Sequence, residues 1–482
     1  MHTNSDYKII QELVMKRSFH HLNKVIRENV LERNSVTKAK AISLGLLSIV
    51  LSACGRSINP DESGTNLVPT AFDDTLRGSS EIDSITALAG NDTIYGFGGN
   101  DQILAGDGND IIYGGDGDDY IDPGAGDDTI YGEDGNDTIL LSSGFDIEDG
   151  GAGIDTVIFG SDQASLPVTI DLSSGKYHFT DQIASVTRNL LNIENIESTA
   201  ASDITVFDTT GVNSITTMSG NDVIYSKGGD DTISTGAGND TVYLSKAKYT
   251  VDLGAGNDTI YLSTEMSVVE GGNGTDTAVI RSFDGFVDVH IDLKFSTYFV
   301  PSQMAAQDGM DLNLKSFEVI TIEGNVASTL KGTIGADTLT GNDGSDTIEG
   351  REGADTLTGG NRQDTFVFSS GDTGILEAEA DTITDFVSGN DLIDLVSISG
   401  DNLGTYVEAN GAANDFAAYT ANATTSFSGN AIDIYVEYNL NGAGNTYFIA
   451  DEDKSGNVSA GDTLIILSGL SSADAIDSSD II

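Results

Sequence analysis

The strongest constraint on this chain is a nine-residue period running from Gly78 to Ile158: GSSEIDSIT, ALAGNDTIY, GFGGNDQIL, AGDGNDIIY, GGDGDDYID, PGAGDDTIY, GEDGNDTIL, LSSGFDIED, GGAGIDTVI. Aspartate recurs at Asp74, Asp83, Asp92, Asp101, Asp110, Asp119, Asp128, Asp137, Asp146 and Asp155 without a slip. In most units an aliphatic residue follows two places later (Ile94, Ile103, Ile112, Ile130, Ile139). So regular a period is structural, because one short unit cannot hide its own apolar side chain and must stack on its neighbours to do so. Glycines at places one, two and four permit positive φ and close backbone approach. The aspartate at place six supplies an anionic oxygen, and places seven to nine read as a short strand with place eight facing inward.

The acids are 76 of 482 residues against 22 basic ones, a net charge of −54. Eight of the basic and four of the acidic residues precede Cys54, so the remainder is near −58. That sign argues against nucleic acid or anionic lipid as a partner. A solvated, disordered chain would be equally acidic, but here the acids are phased with glycine and aliphatics instead of running together. Two carboxylates about 6 Å apart repel by roughly 3 kcal/mol at an effective dielectric of 20, so stacked repeats require a counter-cation. A hard cation with an all-oxygen shell needs more ligands than one turn supplies, a number within the means of two stacked turns.

The pattern is similar to GGxGxDxUx, the calcium-binding nonapeptide of the RTX (repeats-in-toxin) family. The resemblance covers residues 69–482 apart from two inserts. It implies an all-β protein, a parallel β-roll (β-solenoid) in three blocks with a C-terminal β-rich cap. It also implies that alternate nonapeptides lie on opposite edges, so that a site pairs residues eighteen apart, such as Asp92 with the turn around Asp110. Block one (69–158) offers Asp83, Asp92, Asp101, Asp110, Asp119, Asp128, Asp137 and Asp155 as ligands. Block two (201–279) offers Asp222, Asp231, Asp240, Asp258 and Asp276, and block three (332–367) offers Asp337, Asp346, Asp355 and Asp364. Tyr249 and Ser267 stand where aspartate belongs on the edge of Asp231, so in block two calcium is expected on the edge of Asp222, Asp240, Asp258 and Asp276, with the opposite edge largely dry. The inserts, 159–200 and 280–331, look like copies of one another: VTIDLSSGKYHF with NLLNIENIES, and VHIDLKFSTYF with NLKSFEVITIEG.

Residues 1–53 read as an export segment, with Lys38 and Lys40 before an apolar run, Ala41–Leu51, too short to span a bilayer. Leu51-Ser52-Ala53-Cys54 resembles a bacterial lipobox, which implies lipidation of Cys54, the sole cysteine. An ordinary secretory signal is the alternative. A polar tether, 54–68, follows. Residues 368–482, with ADTITDFVSGNDLIDL and the tail Asp480-Ile481-Ile482, resemble the C-terminal module of serralysin-like proteases and other type I secretion substrates. Within it Asp451, Asp453, Ser455, Asn457 and Asp462 fit the spacing of an EF-hand loop, with Gly456 at place six. A plain Asp/Asn/Gly turn between two strands fits the same residues. The lipobox and the type I tail address different export machines, and both lead out of the cytosol of a Gram-negative cell.

Enzyme signatures are missing: the chain has no HExxH and no GxSxG, which leans the reading away from catalysis. His178 and His290 occupy matching places in the two inserts, and tyrosines recur at place nine (Tyr95, Tyr113, Tyr131, Tyr225, Tyr243, Tyr261), on the outer sheet face. An ice-binding module would show a regular threonine column, and place three (Ala89, Gly98, Asp107, Asp116, Ala125, Asp134) is irregular. The expected protein is an extracellular or surface-anchored one that binds several Ca²⁺ ions and folds on them outside the cell. The alternatives are a calcium-dependent adhesin or surface-layer component, contacting cell-surface glycans or proteins, and a secreted hydrolase with its site in the inserts.

Overall fold

The computed structural model describes residues 57–58 and 69–482, except 142–143, 161–166, 180–187, 263–266, 282–287, 294–296, 300–312, 370–371, 396–402, 411–415, 428–431, 439–444, 453, 460–461, 471–475 and 477–479. The segment 1–53, Cys54 and Asp453 therefore lie outside the described residues.

Two nonapeptides make one coil. Strand Thr93–Gly98 lies on a front sheet and Gln102–Asp107 on a back sheet, and the next strand, Ile111–Asp116, returns to the front in parallel register with the first. Place eight stacks on place eight: Ile94 on Ile112 on Ile130 in front, Ile103 on Ile121 on Ile139 behind. All six have 0% exposure. Burying such a side chain stabilises by about 1.5–3 kcal/mol, and because each isoleucine is covered by the coils beside it, the gain exists only for the stack.

The roll does not stop at either insert. Arg188–Leu191 pairs in parallel with Ile147–Ala152 in front, and Asn195–Ser198 pairs with Thr156–Phe159 behind, forming an ordinary coil. What leaves the repeat is a hairpin, Val168–Asp171 with Lys176–Phe179, lodged in the front sheet between Arg188–Leu191 and Ile204–Phe207. Behind it, Asn195–Ser198 pairs directly with Ser214–Thr216. The second insert repeats the scheme on the other side. Its hairpin, Asp288–Asp292 with Thr297–Phe299, leads into the back sheet at Ala327–Lys331, while the front runs on from Thr277–Arg281 to Val319–Glu323 to Thr338–Thr340. Each hairpin thus adds two strands, about 10 Å of sheet width, to one sheet only, and the two wedges fall on opposite sheets.

Beyond block three the front sheet passes from Thr356–Thr358 to Asp381–Ile383 and Thr463–Leu467, then turns antiparallel through Thr446–Asp451 and Ile432–Tyr438. The helix Phe416–Ser426 covers this cap, with Tyr419 and Ala423 packed against Tyr435, Tyr447 and Ile449. The last residues return to the roll: Ile393 N–H donates to the Asp480 carbonyl and Ile482 N–H to that of Ile393. Asp480 accepts from Ser388 Oγ and Gly389 N–H, both at 2.8 Å.

Candidate cation-binding edges

Each place-six aspartate sits where a turn enters a strand, and one of its oxygens is committed to the backbone. Oδ1 accepts the amide of the place-six residue one coil earlier: Asp101 from Asp83 (2.7 Å), Asp119 from Asp101 (2.7 Å), Asp137 from Asp119 (2.8 Å) and Asp155 from Asp137 (2.8 Å). The opposite edge repeats this from Asp74 N–H through Asp92, Asp110, Asp128 and Asp146. Blocks two and three continue it: Asp222 N–H to Asp240, Asp240 to Asp258, Asp258 to Asp276, Asp337 to Asp355 and Asp346 to Asp364.

The second oxygen is the informative one. In Asp92, Asp101, Asp110, Asp119, Asp128, Asp137, Asp155, Asp222, Asp240, Asp258, Asp276, Asp346, Asp355 and Asp364, Oδ2 is buried without any hydrogen-bond partner. An unmet buried carboxylate oxygen is costly. Burial, reinforced by neighbouring carboxylates, pushes Asp101, Asp128, Asp137, Asp355 and Asp364 up to about 7, and Asp92, Asp119 and Asp155 up to about 6. The columns are built to face positive charge.

Glycine at place one keeps that space open. A Cβ on Gly114 would lie 2.5 Å from Asp119 Oδ2 and 2.7 Å from the Gly132 carbonyl oxygen. On Gly78 it would meet the Gly96 carbonyl at 2.5 Å and Asp83 Oδ2 at 2.9 Å. The void beside each carboxylate is therefore bounded by a carboxylate oxygen and the carbonyl of the following coil. It recurs at Gly96, Gly132, Gly150, Gly271, Gly332 and, toward the carboxylate, Gly341, Gly350 and Gly359. Place four has its own demand: Gly117, at φ +131°, packs against the Gly99 carbonyl where a side chain would clash. Among the described residues no three His, Cys, Asp or Glu side chains converge on one point, so a cation here draws on one carboxylate per turn plus carbonyls. That all-oxygen set suits a hard cation such as Ca²⁺.

The edges are not uniform. On the edge of Asp92, Asp110 and Asp128, place one holds Ala87, Ala105, Pro123 and Leu141. On the edge of Asp222 and Asp240 it holds Thr217 and Thr235, whose hydroxyls donate to the carbonyls of Thr235 (2.9 Å) and Leu253 (2.8 Å). At Asp231 the neighbouring groups are Ser226, 2.9 Å from Asp231 Oδ2, and Tyr249.

Four ladder positions escape the nonapeptide pattern. Glu194 Oε2 accepts Asp155 N–H and Glu318 Oε2 accepts Asp276 N–H, both at 2.9 Å, so a glutamate carries each ladder into the coil that follows a block. Asp381 and Asp391 close the two edges, accepting Asp355 and Asp364 N–H. Laying NIENIES beside SFEVITIE puts Glu194 and Glu318 in one column, a signal present in the sequence. In the candidate EF-hand loop, Asp451 accepts the amides of Ser455 (2.9 Å) and Gly456 (2.8 Å), and Asp462 accepts that of Ser459 (2.6 Å). The Ser455 hydroxyl donates to the Asn457 carbonyl at 2.8 Å. His178 lies half-buried opposite Thr169, and His290 occupies the matching strand of the second hairpin.

Fold and edges together define a parallel β-roll with cation-binding edges. The family model for the RTX calcium-binding nonapeptide repeat (four copies) matches residues 69–103, 95–130, 124–148, 207–242 and 331–366. The chain carries RTX repeats, and through them it binds calcium, several ions in all. A search of curated proteins found no match to this chain.

Proposed function

We propose that this is an exported protein whose roll folds on Ca²⁺ outside the cell, where it acts as a calcium-stabilised extracellular or surface-anchored scaffold. The observation that carries the reading is the file of buried, partnerless Oδ2 atoms along the turns. Without cations these carboxylates must take protons or disperse, and cytosolic calcium is too scarce to occupy sites of the extracellular class, with Kd about 10⁻⁴–10⁻³ M. At an outside concentration about ten times Kd, each site adds roughly 1.4 kcal/mol, and the contributions add along the stack. The glycine-lined cradles at Asp101, Asp119, Asp137, Asp155, Asp276, Asp346, Asp355 and Asp364 hold calcium most strongly, while at Asp83 and Asp337 the Oδ2 atoms already accept from Ser79 and Thr333 and calcium must share them. Asp92, Asp110, Asp128, Asp222, Asp231, Asp240 and Asp258, crowded at place one, hold it more weakly. Asp451, Asp453, Ser455, Asn457 and Asp462 form a separate loop site in the cap.

Export follows from the apolar segment before Cys54 and from the secretion-module likeness of 368–482, with lipid attachment at Cys54 as the anchor. Circular dichroism tests the folding claim: strand signal should be lost in chelator and return with millimolar Ca²⁺. Equal strand content in both conditions overturns it. Mass spectrometry of the mature N-terminus tests the anchor, which an unacylated chain retaining residues upstream of Cys54 would rule out.

A further inference from the structure

In block two a second acid enters the edge from an unexpected place. Asp208 stands at place one, where block one has glycine, and is fully buried at 0% exposure. Its Oδ1 accepts Lys227 N–H at 2.6 Å, and its buried Oδ2, which no donor meets in good geometry, lies next to the Ser226 hydroxyl and the Asp231 carboxyl. Across from it is Asp231, whose Oδ1 accepts Asn213 N–H at 2.8 Å and whose Oδ2 faces Ser226 Oγ at 2.9 Å. The two carboxyl groups are close enough to interact directly, and burial followed by Asp231's charge raises Asp208. Among the described residues no basic side chain is paired with these carboxylates: Lys227, the nearest in sequence, sends its ammonium to Ser173 Oγ at 2.6 Å. Ser226 Oγ also donates to the Tyr249 hydroxyl at 3.0 Å, which puts that ring beside the pair.

We infer that Asp208 and Asp231, with the Ser226 hydroxyl, hold one divalent cation in a site made differently from the repeat cradles. A repeat cradle offers one carboxylate and carbonyls, whereas this space offers two carboxylates from adjacent coils and a hydroxyl. The inference rests on the reading that the roll is loaded with calcium, and adds a site on an edge where the repeat pattern has failed. Two buried carboxylates without a counter-charge repel strongly, and a cation bridging them satisfies Asp208 Oδ2 and links the coils of Asn213 and Asp231.

Native mass spectrometry of the full chain in calcium counts the ions. Asp208→Asn should carry one ion fewer than wild type. An unchanged count overturns this site while leaving the repeat sites standing, because the pair then shares a proton. A wild-type chain carrying no calcium overturns both readings. A second measurement does not depend on how Asp208→Asn folds: with Tb³⁺ in place of calcium, Tyr249→Phe should lower tyrosine-sensitised emission and leave directly excited emission unchanged. Sensitised emission equal to wild type overturns the assignment.

Discussion

Along one edge of the roll, blocks one and two share a register and differ in what fills it. In block one the turns carry glycine at place one (Gly78, Gly96, Gly114, Gly132, Gly150) and aspartate at place six. In block two, place one is Asp208, Ser226, Leu244 and Leu262, and place six is Asn213, Asp231, Tyr249 and Ser267. Yet Ser267 Oγ accepts Tyr249 N–H at 3.2 Å, doing for the backbone what an aspartate Oδ1 does elsewhere. Capping the amide therefore needs no charge. The second carboxylate oxygen is what block one retains, and its glycine is what leaves room beside it.

The largest expected effect comes from pH, through the aspartate file of block one that block two mostly lacks. On block one's glycine-lined edge, burial pushes Asp101 and Asp137 up to about 7 and Asp119 and Asp155 up to about 6, against an ordinary value of 3.8. Raised carboxyls favour the protonated fold, so in chelator their stability is present below pH 4 and lost as pH rises through about 7. Chelated protein should hold strand structure near pH 4 and lose it by pH 7.5, a swing on the order of 5 kcal/mol. With saturating calcium the curve should be nearly flat. Urea titrations at both pH values check this, and a chelated chain equally stable at each would break the contrast between the blocks.

Next comes the cradle itself. Gly114→Leu should lose calcium and cost about 2–4 kcal/mol in calcium, because its Cβ meets both Asp119 Oδ2 and the Gly132 carbonyl. The comparison sharpens at Leu244→Gly in block two, which should cost only the apolar burial, about 1–3 kcal/mol, with no change in ion count by native mass spectrometry. A similar ion loss in both variants would remove the distinction. The smallest effect lies outside the edges. The place-nine rings stack on each other at 4.5–5.1 Å, Tyr95 on Tyr113 on Tyr131 and Phe207 through Tyr261, with Arg77 and Arg281 over the end rings. Arg77→Ala should cost no more than about 1 kcal/mol in thermal denaturation and leave calcium binding unchanged.

Much of this was legible because the period fixes both the isoleucine column and the aspartate column, and each is a direct demand of stacking. The inserts were legible as related sequences, but not as continuing coils: only hydrogen-bond register separates Arg188–Leu191, part of the roll, from the hairpin beside it. Glu194 and Glu318 escaped because a hairpin stands between each and its ladder partner, 39 and 42 residues earlier. Glu148 was a different kind of exception. It occupies the place-eight core position, fully buried, accepts the Tyr177 hydroxyl at 3.0 Å, and burial pushes it up to about 8. An acid where isoleucine belongs makes sense only once the first hairpin brings Tyr177 against it.

Anomalous diffraction from crystals grown in calcium tests the central claim most directly. A file of calcium peaks is expected along the glycine-lined edge, one beside each of Asp101 Oδ2, Asp119 Oδ2 and Asp137 Oδ2 and the carbonyl of the following coil, with no peak beside Leu244 or Leu262 at place one of block two. An intact roll with no anomalous density along that edge would contradict it.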